Sequence, residues 1–180
     1  MNLQAVKGRV ATLALGHTVN AVIVGVFDWV LYPAVIFFCD RLVGAFYGVL
    51  AGGLIMTVLS FLFCFATMKF YDWSKTDWLG IEAIKSLRDE DRTGTLARLI
   101  GWAMRHGDLL TMIFLSLKYD PFIVTAYMRN GVNQFNGMNK RDWTIFMGSL
   151  IFGNLYWTLA VFSGISAVEW IWQGVKHLVG

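Results

Sequence analysis

The chain has 180 residues, of which 57% are hydrophobic and 15% charged, and its formal net charge is +3. Soluble domains carry roughly 25% charged residues, so this composition excludes an ordinary soluble domain and indicates a single integral membrane domain, residues 1–180. The basic residues form no dedicated stripe, so we expect a lipid bilayer and no nucleic acid as partner.

The first predicted membrane segment, residues 10–39, is interrupted by Asp28 and Pro33. If the helix covers residues 10–27, Asp28 lies at the far membrane interface. We favour this placement because acids buried in a membrane are rare. If the helix is centred on residues 19–38, Asp28 lies at mid-membrane and Pro33 kinks the helix beside it.

The second segment, residues 42–68, contains 27 residues without a charge and is long enough to span a bilayer. Gly44, Gly48 and Gly52 recur at four-residue spacing, a pattern that lets another helix approach closely. Ser149 and Gly153 form a shorter version in the last segment. We expect these small residues to pack helices within the chain, with contact between subunits as the alternative.

A polar connector, residues 70–97, follows the second segment. Ser74 and Asp77 are spaced as a weak capping box, which predicts a helix over residues 76–88. The mixed charges of this connector are typical of a solvated linker, and a docking surface for a cytosolic partner is the sharper alternative.

The third segment, residues 99–129, carries Lys118, Asp120 and Pro121 within four residues. A residue before proline avoids helical geometry, so the sequence predicts a break here. We expect the Asp120 side chain to cap the helix that starts at Pro121 and Lys118 to lie at the negative end of the preceding helix. The second helix would be about 13 Å long, too short to cross a membrane alone.

The last segment, residues 143–170, has an uncharged run of 26 residues from Trp143 to Val168. Asn154 lies near the centre of this run and could donate a hydrogen bond to Asp28 or Asp120. The fold class is therefore an all-α membrane helix bundle with four segments, the third broken near Asp120.

Basic residues indicate the orientation only in part. Lys7 and Arg9 predict a cytoplasmic N-terminus, and six basic residues from Lys69 to Arg98 predict that the connector is cytoplasmic too. Four spans would put Arg129, Lys140 and Arg141 outside, against the rule. The alternative is three spans plus a re-entrant or interfacial hairpin. The pattern fits a bacterial inner membrane.

Motifs for catalysis or cofactor binding are mostly absent. We find no phosphate-binding loop, dinucleotide fingerprint, zinc-protease helix or nucleophile elbow, and we assign no catalytic residue and no metal site. Cys39 and Cys64 would lie roughly 30 Å apart, too far for a disulfide. We expect no cofactor; a haem held by His17 and His106 is the weakest alternative.

Three functions follow. We favour a small non-catalytic subunit that assembles with another membrane protein or with itself, because the glycine face offers a contact and reaction motifs are lacking. A small oligomeric transporter or channel would use Asp28, Lys118, Asp120 and Asn154 along a polar path. An interfacial enzyme would use Arg105, His106 and Asp108. Asp120 at mid-membrane depth would favour transport, whereas Asp120 at the interface would favour the subunit.

Overall fold

A computed structural model describes residues 16, 18, 21–81, 107–129 and 135–179, with side chains up to residue 172 and at residue 175. Every regular element in these residues is helical, which confirms the predicted all-helical class. The helices are α1 (Ala21–Val43), α2 (Ala45–Ser74), α3 (Asp108–Ser116), α4 (Pro121–Met128) and α5 (Lys140–Val179).

Three of these helices are long and apolar enough to span a membrane: α1, α2 and the Lys140–Trp172 part of α5. The described residues contain no fourth helix of that length. At 1.5 Å per residue, α3 and α4 are only about 13 Å and 12 Å long, so neither can cross a bilayer. The third predicted segment is thus broken near Asp120, and its first residues, 99–106, lie outside the described part of the chain.

Helix α1 does not end at residue 27, as the favoured placement of Asp28 required. Phe27–Leu31 form a π-helical turn, closed by a hydrogen bond from the Tyr32 amide to the Phe27 carbonyl, and an α-helix from Tyr32 to Val43 follows directly. Pro33 has no amide to donate, and wide turns of this kind accommodate such a gap within a continuous helix. Asp28 is therefore inside a helix and not at its end.

The chain divides into two compact units. The first unit comprises Met1–Val22 and Phe61–Gly153, and the second comprises Ile23–Ser60 and Asn154–Gly180. Helices α2 and α5 each contribute to both units.

The second unit is built on close packing of α1 against α2. Gly44 forms the corner with a φ of 84°, which suits glycine. A Cβ added at Gly48 would lie 2.5 Å from the amide nitrogen of Asp40, and one added at Gly52 would lie 2.8 Å from Ile36. The core of the second unit combines Tyr32, Ile36 and Met56 with partly buried residues of α5.

In the first unit, α4 is the most enclosed element. Its residues pack on two sides: Phe122 and Ala126 belong to a cluster with α2, while Val124 and Met128 belong to a cluster with α3 and α5. Six of its eight residues are buried, including Thr125, whose hydroxyl donates to the Pro121 carbonyl. This short helix is therefore surrounded by protein.

The connector helix starts later than predicted. Residues 75–80 form a turn after α2, and Ile81 is helical. The Asp77 carboxylate accepts a hydrogen bond from the Ile81 amide at 2.8 Å, so Asp77 caps the start of this helix and Ser74 does not. Ser74 instead donates to the Tyr71 carbonyl. Residues 82–97 lie outside the described part of the chain.

Candidate functional site

The two short helices form a hairpin whose open ends meet at one residue, Arg141. Its guanidinium donates to the Asp108 carboxylate at the start of α3, at 3.0 and 2.7 Å, and to the Met128 carbonyl at the end of α4, at 2.9 Å. Arg141 itself lies at the start of α5. Residues 108–128 therefore go out and return to the same end of α5; we call them the hairpin.

A buried charge cluster holds the returning end of the hairpin. Arg129 directly follows α4 and makes a bidentate contact with Asp72 near the end of α2; its Nε is 3.5 Å from an Asp142 oxygen. The exposed fractions of the three side chains are 3%, 11% and 4%. A fork-shaped guanidinium suits two carboxylates in this way. We call these residues the Arg129 cluster.

Asp142 has a second role, in starting α5. The Asn139 side chain accepts a hydrogen bond from the Asp142 amide at 2.9 Å, and the Asp142 carboxylate accepts one from the Asn139 amide at 3.3 Å. This reciprocal pair is a capping box, which satisfies amides that have no partner within the helix. The same carboxylate thus fixes both the start of α5 and the Arg129 side chain.

The closed end of the hairpin lies well along α5. The Ser116 hydroxyl at the end of α3 donates to the Ser149 hydroxyl at 2.8 Å, and a Cβ at Gly153 would lie 3.3 Å from the Ser116 carbonyl oxygen. Ser149 is nine residues beyond the start of α5, a rise of about 14 Å. Ser149 and Gly153, predicted as packing residues, here adjoin the hairpin.

Lys118 and Asp120 occupy the tip of the hairpin, residues 117–120. Lys118 is exposed, and its ammonium group lies 5.6 Å from the centre of the Tyr119 ring. Asp120 has extended backbone geometry ahead of Pro121, as predicted, and its carbonyl accepts from the Val124 amide at 3.0 Å. Its side chain makes no capping hydrogen bond, so that part of the prediction is wrong.

The second unit holds the other predicted polar residues. Asn154 is buried. The Tyr32 hydroxyl donates to the backbone carbonyl of Asn154 at 2.9 Å and to its side-chain amide oxygen at 3.1 Å. The same hydroxyl lies 2.9 Å from the Thr158 hydroxyl. Asn154 thus accepts from Tyr32, a residue that the sequence did not indicate as its partner. Asp28 lies one helical turn before Tyr32 on α1.

Sequence reasoning missed the residues that hold the hairpin. The Asn139–Asp142 capping box could have been found, since its spacing is a known helix-start pattern. The pairing of Arg129 with Asp72 had no such signal, because 57 positions separate the two residues. His17, Arg105 and His106 lie outside the described residues.

Comparison with known protein families, curated proteins and solved structures gives no match to this chain. The fold alone therefore indicates the class: the protein is a helical membrane protein, and the described residues contain three helices of spanning length. Within the described residues, no group of histidine, cysteine and acidic side chains could hold a metal ion.

Proposed function

We propose that the protein is a small transporter or channel in which the hairpin is re-entrant, entering the membrane and leaving it on the same side. The observation that carries this proposal is the contact of Arg141 with both open ends of the hairpin. A segment whose two ends share one partner does not need to cross the bilayer. This architecture is the three-span alternative given by the sequence.

The distribution of basic residues supports the same orientation. With three spans and a re-entrant hairpin, Lys69, Lys75, Lys140 and Arg141 all lie on the cytoplasmic side, in agreement with the positive-inside rule. Four spans would place the last two outside. The C-terminus then lies on the opposite side from the N-terminus.

The depth of the hairpin tip in the membrane favours transport over the subunit, which an interfacial position of Asp120 would favour. If Trp143 marks the membrane interface, where tryptophan is enriched, Ser149 and Gly153 lie six and ten residues further along α5, or about 9 and 15 Å into the membrane. Half of the hydrocarbon core is about 15 Å thick. Ser116 touches both positions, so the tip that follows it comes close to the membrane centre.

Helix ends at this depth are characteristic of transport proteins. Irregular backbone within a membrane is tolerated where protein encloses it or where it lines a water-filled cavity, and the ends of broken helices form the substrate sites of many transporters. Lys118 is exposed in the single chain. A charged side chain at this depth is costly unless it meets water or an opposite charge, so a polar path along the tip would stabilise it.

A non-catalytic subunit is the second candidate, and the same exposed Lys118 supports it, since an acid on a membrane-protein partner could pair with this lysine. The glycine face, which first suggested a subunit, supports it less, because Gly48 and Gly52 pack against α1 of the same chain.

Three spans leave little room for a transport path within one copy of the protein. We therefore propose that transport occurs in a homo-oligomer.

Flux measurements test the proposal. Purified protein in liposomes loaded with fluorescent indicators for H⁺, Na⁺, K⁺ or Cl⁻ should accelerate the flux of at least one ion. Lys118→Met and Asp120→Asn should lower this flux to the protein-free level while the protein stays folded. Lys75→Met, an exposed lysine in the turn after α2, is the matched control and should keep full flux.

Two results would argue against transport. Wild-type flux equal to that of empty liposomes for every ion would remove the transport proposal. Full flux in both the Lys118→Met and the Asp120→Asn variants would show that transport does not require these two side chains. If Lys118→Met instead releases a membrane protein that co-purifies in mild detergent, the subunit is the correct function.

A further inference from the structure

Asp28 lies on the side of α1 that faces the core of the second unit. One and two turns further along this side are Tyr32 and Ile36, which are 2% and 0% exposed. The next residues around the helix, Trp29 and Val30, are 74% and 62% exposed, although the Trp29 ring also lies edge to face with Trp157 of α5 at 6.0 Å. Asp28 itself is partly buried. Its carboxylate is therefore directed towards protein, at the edge of the core.

The depth of Asp28 follows from its neighbour Tyr32. The Tyr32 hydroxyl contacts Asn154 and Thr158, which flank the centre of the uncharged run 143–168 on α5. Asp28 precedes Tyr32 by one turn, or about 6 Å along the helix axis. This acid lies near the membrane centre, the placement that we favoured less from the sequence.

No described residue forms a hydrogen bond or an ion pair with the Asp28 carboxylate. The core around Tyr32 and Ile36 includes α2, through Met56 and Leu59, and α5, through Trp157 and Val161. None of these four side chains can ionise. The titratable group nearest along the chain, Tyr32, already contacts Asn154 and Thr158 through its hydroxyl.

Compensating charges of the second unit are distant. Its other charged side chains in the described range are Asp40, Arg41 and Glu169, and the last two pair with each other at 2.7 Å. Asp40 and Arg41 lie twelve and thirteen residues beyond Asp28 on the same helix, or roughly 18 to 20 Å away. An ionised Asp28 would thus have no compensating charge among the described side chains of this unit.

Local backbone geometry independently marks the same position. Asp28 belongs to the π-helical turn Phe27–Leu31, and single π turns inside helices are frequently found at functional sites. One turn earlier, a Cβ added at Gly25 would meet no heavy atom within 4 Å. Space for a larger side chain is therefore present at Gly25, three residues before Asp28.

We propose that Asp28 is a proton-binding site within the membrane. The carboxylate takes up one proton to become a neutral carboxylic acid and releases it to regenerate the carboxylate. Intramembrane acids without a fixed counter-charge commonly serve in such relays. Use of this proton to drive transport rests on the function proposed above, whereas the binding of the proton to Asp28 does not.

Dicyclohexylcarbodiimide tests the binding without any flux assay. This apolar reagent adds to a protonated carboxyl group within a membrane and leaves a stable N-acylurea, which peptide mass spectrometry locates. Purified protein in liposomes should carry the adduct on Asp28, formed faster at low pH and at an equal rate with and without sodium chloride. Asp28→Asn should abolish this adduct, and Asp40→Asn, the matched acid on the same helix, should retain it.

Two outcomes would overturn the proposal. Absence of an adduct on Asp28 at every pH would mean that the carboxyl group takes up no proton there. Protection by sodium at constant pH would assign Asp28 to sodium instead. Since the adduct is measured without flux, labelled Asp28 in a protein that moves no ion would contradict only the transport proposal, and unlabelled Asp28 in an active transporter would contradict only this one.

Discussion

Arg129 holds the returning end of the hairpin through a buried charge cluster. Its side chain is 3% exposed and lies between two carboxylates from different helices, Asp72 and Asp142. Taking three charges out of water is costly, and the cost is offset only while all three remain together. The cluster therefore acts as a single unit that joins α2, α4 and α5.

Replacing Arg129 with methionine should destabilise the protein strongly, because two buried carboxylates would lose their counter-charge. Breaking a buried pair in this way typically costs about 3–5 kcal/mol. Thermal or denaturant unfolding in detergent measures the change. Arg41→Met is the matched control, since the Arg41–Glu169 side chains are 62% and 39% exposed and such pairs contribute about 1 kcal/mol or less. Equal losses in the two variants would contradict a special role for Arg129.

At the scale of residues, sequence reasoning located chemically unusual positions better than it located their partners. Lys118, Asp120 and Asp28 stand out because charges are rare in apolar segments. Sequence reasoning did not name Tyr32 as a partner of Asn154, since the choice among distant polar groups depends on how helices pack. Tyr32 drew no attention in the sequence, because an amphipathic tyrosine in an apolar segment is ordinary.

At the scale of elements, glycine spacing on α2 determines how closely α1 can approach. The Gly48 position faces the backbone of Asp40 and Cys39, with an added Cβ 2.5 Å from the Asp40 nitrogen and 2.7 Å from the Cys39 carbonyl carbon. A backbone cannot move aside as a flexible side chain can. The two helices must therefore separate if Gly48 gains even a methyl group.

Gly48→Ala should thus lower the free energy of unfolding by about 1–3 kcal/mol, the usual cost of overpacking a core. Gly164→Ala provides the control, because a Cβ there meets nothing within 4 Å and alanine generally favours a helix over glycine by about 0.5–1 kcal/mol. Unfolding of both variants in the same detergent gives the comparison. A Gly48→Ala protein as stable as wild type would show that α1 and α2 do not touch here.

Elements differ in how far the sequence could predict them. The long apolar runs of α2 and α5 indicated spanning helices, and Asp120–Pro121 indicated the break between α3 and α4, because these features depend on local backbone chemistry. The continuation of α1 past Asp28 was the less favoured of two alternatives, since a π turn depends on the surrounding packing as well as on Pro33. The return of α4 was one of two alternatives that the sequence left open, because the choice depends on the long-range contacts of Arg129 and Arg141.

At the scale of the whole molecule, the three-span and four-span architectures predict different sides of the membrane for the loop before α5. With a re-entrant hairpin, the turn after α2 and the loop before α5 lie on the same side of the membrane. With four spans they lie on opposite sides. In both cases the Gly44 corner lies across the membrane from the turn after α2.

Cysteine labelling distinguishes the two architectures. In a background with Cys39 and Cys64 replaced by alanine, single cysteines at Lys75 and Asn136, both exposed, should react with a membrane-impermeant maleimide from the same side. A cysteine at Val43, which adjoins the Gly44 corner and is also exposed, should react only from the opposite side and serves as the control for sealed vesicles. Labelling of positions 75 and 136 from opposite sides would establish four spans.

The position of the Arg129 cluster also bears on the order in which the protein can be made. Asp142 and Arg141 belong to α5, which leaves the ribosome after the hairpin, and neither α3 nor α4 is long enough to be retained in the bilayer as a span. During synthesis, the hairpin therefore lacks two of its anchors until the last helix is inserted. Final docking of the hairpin is a late step, completed only when α5 supplies the charges that close it.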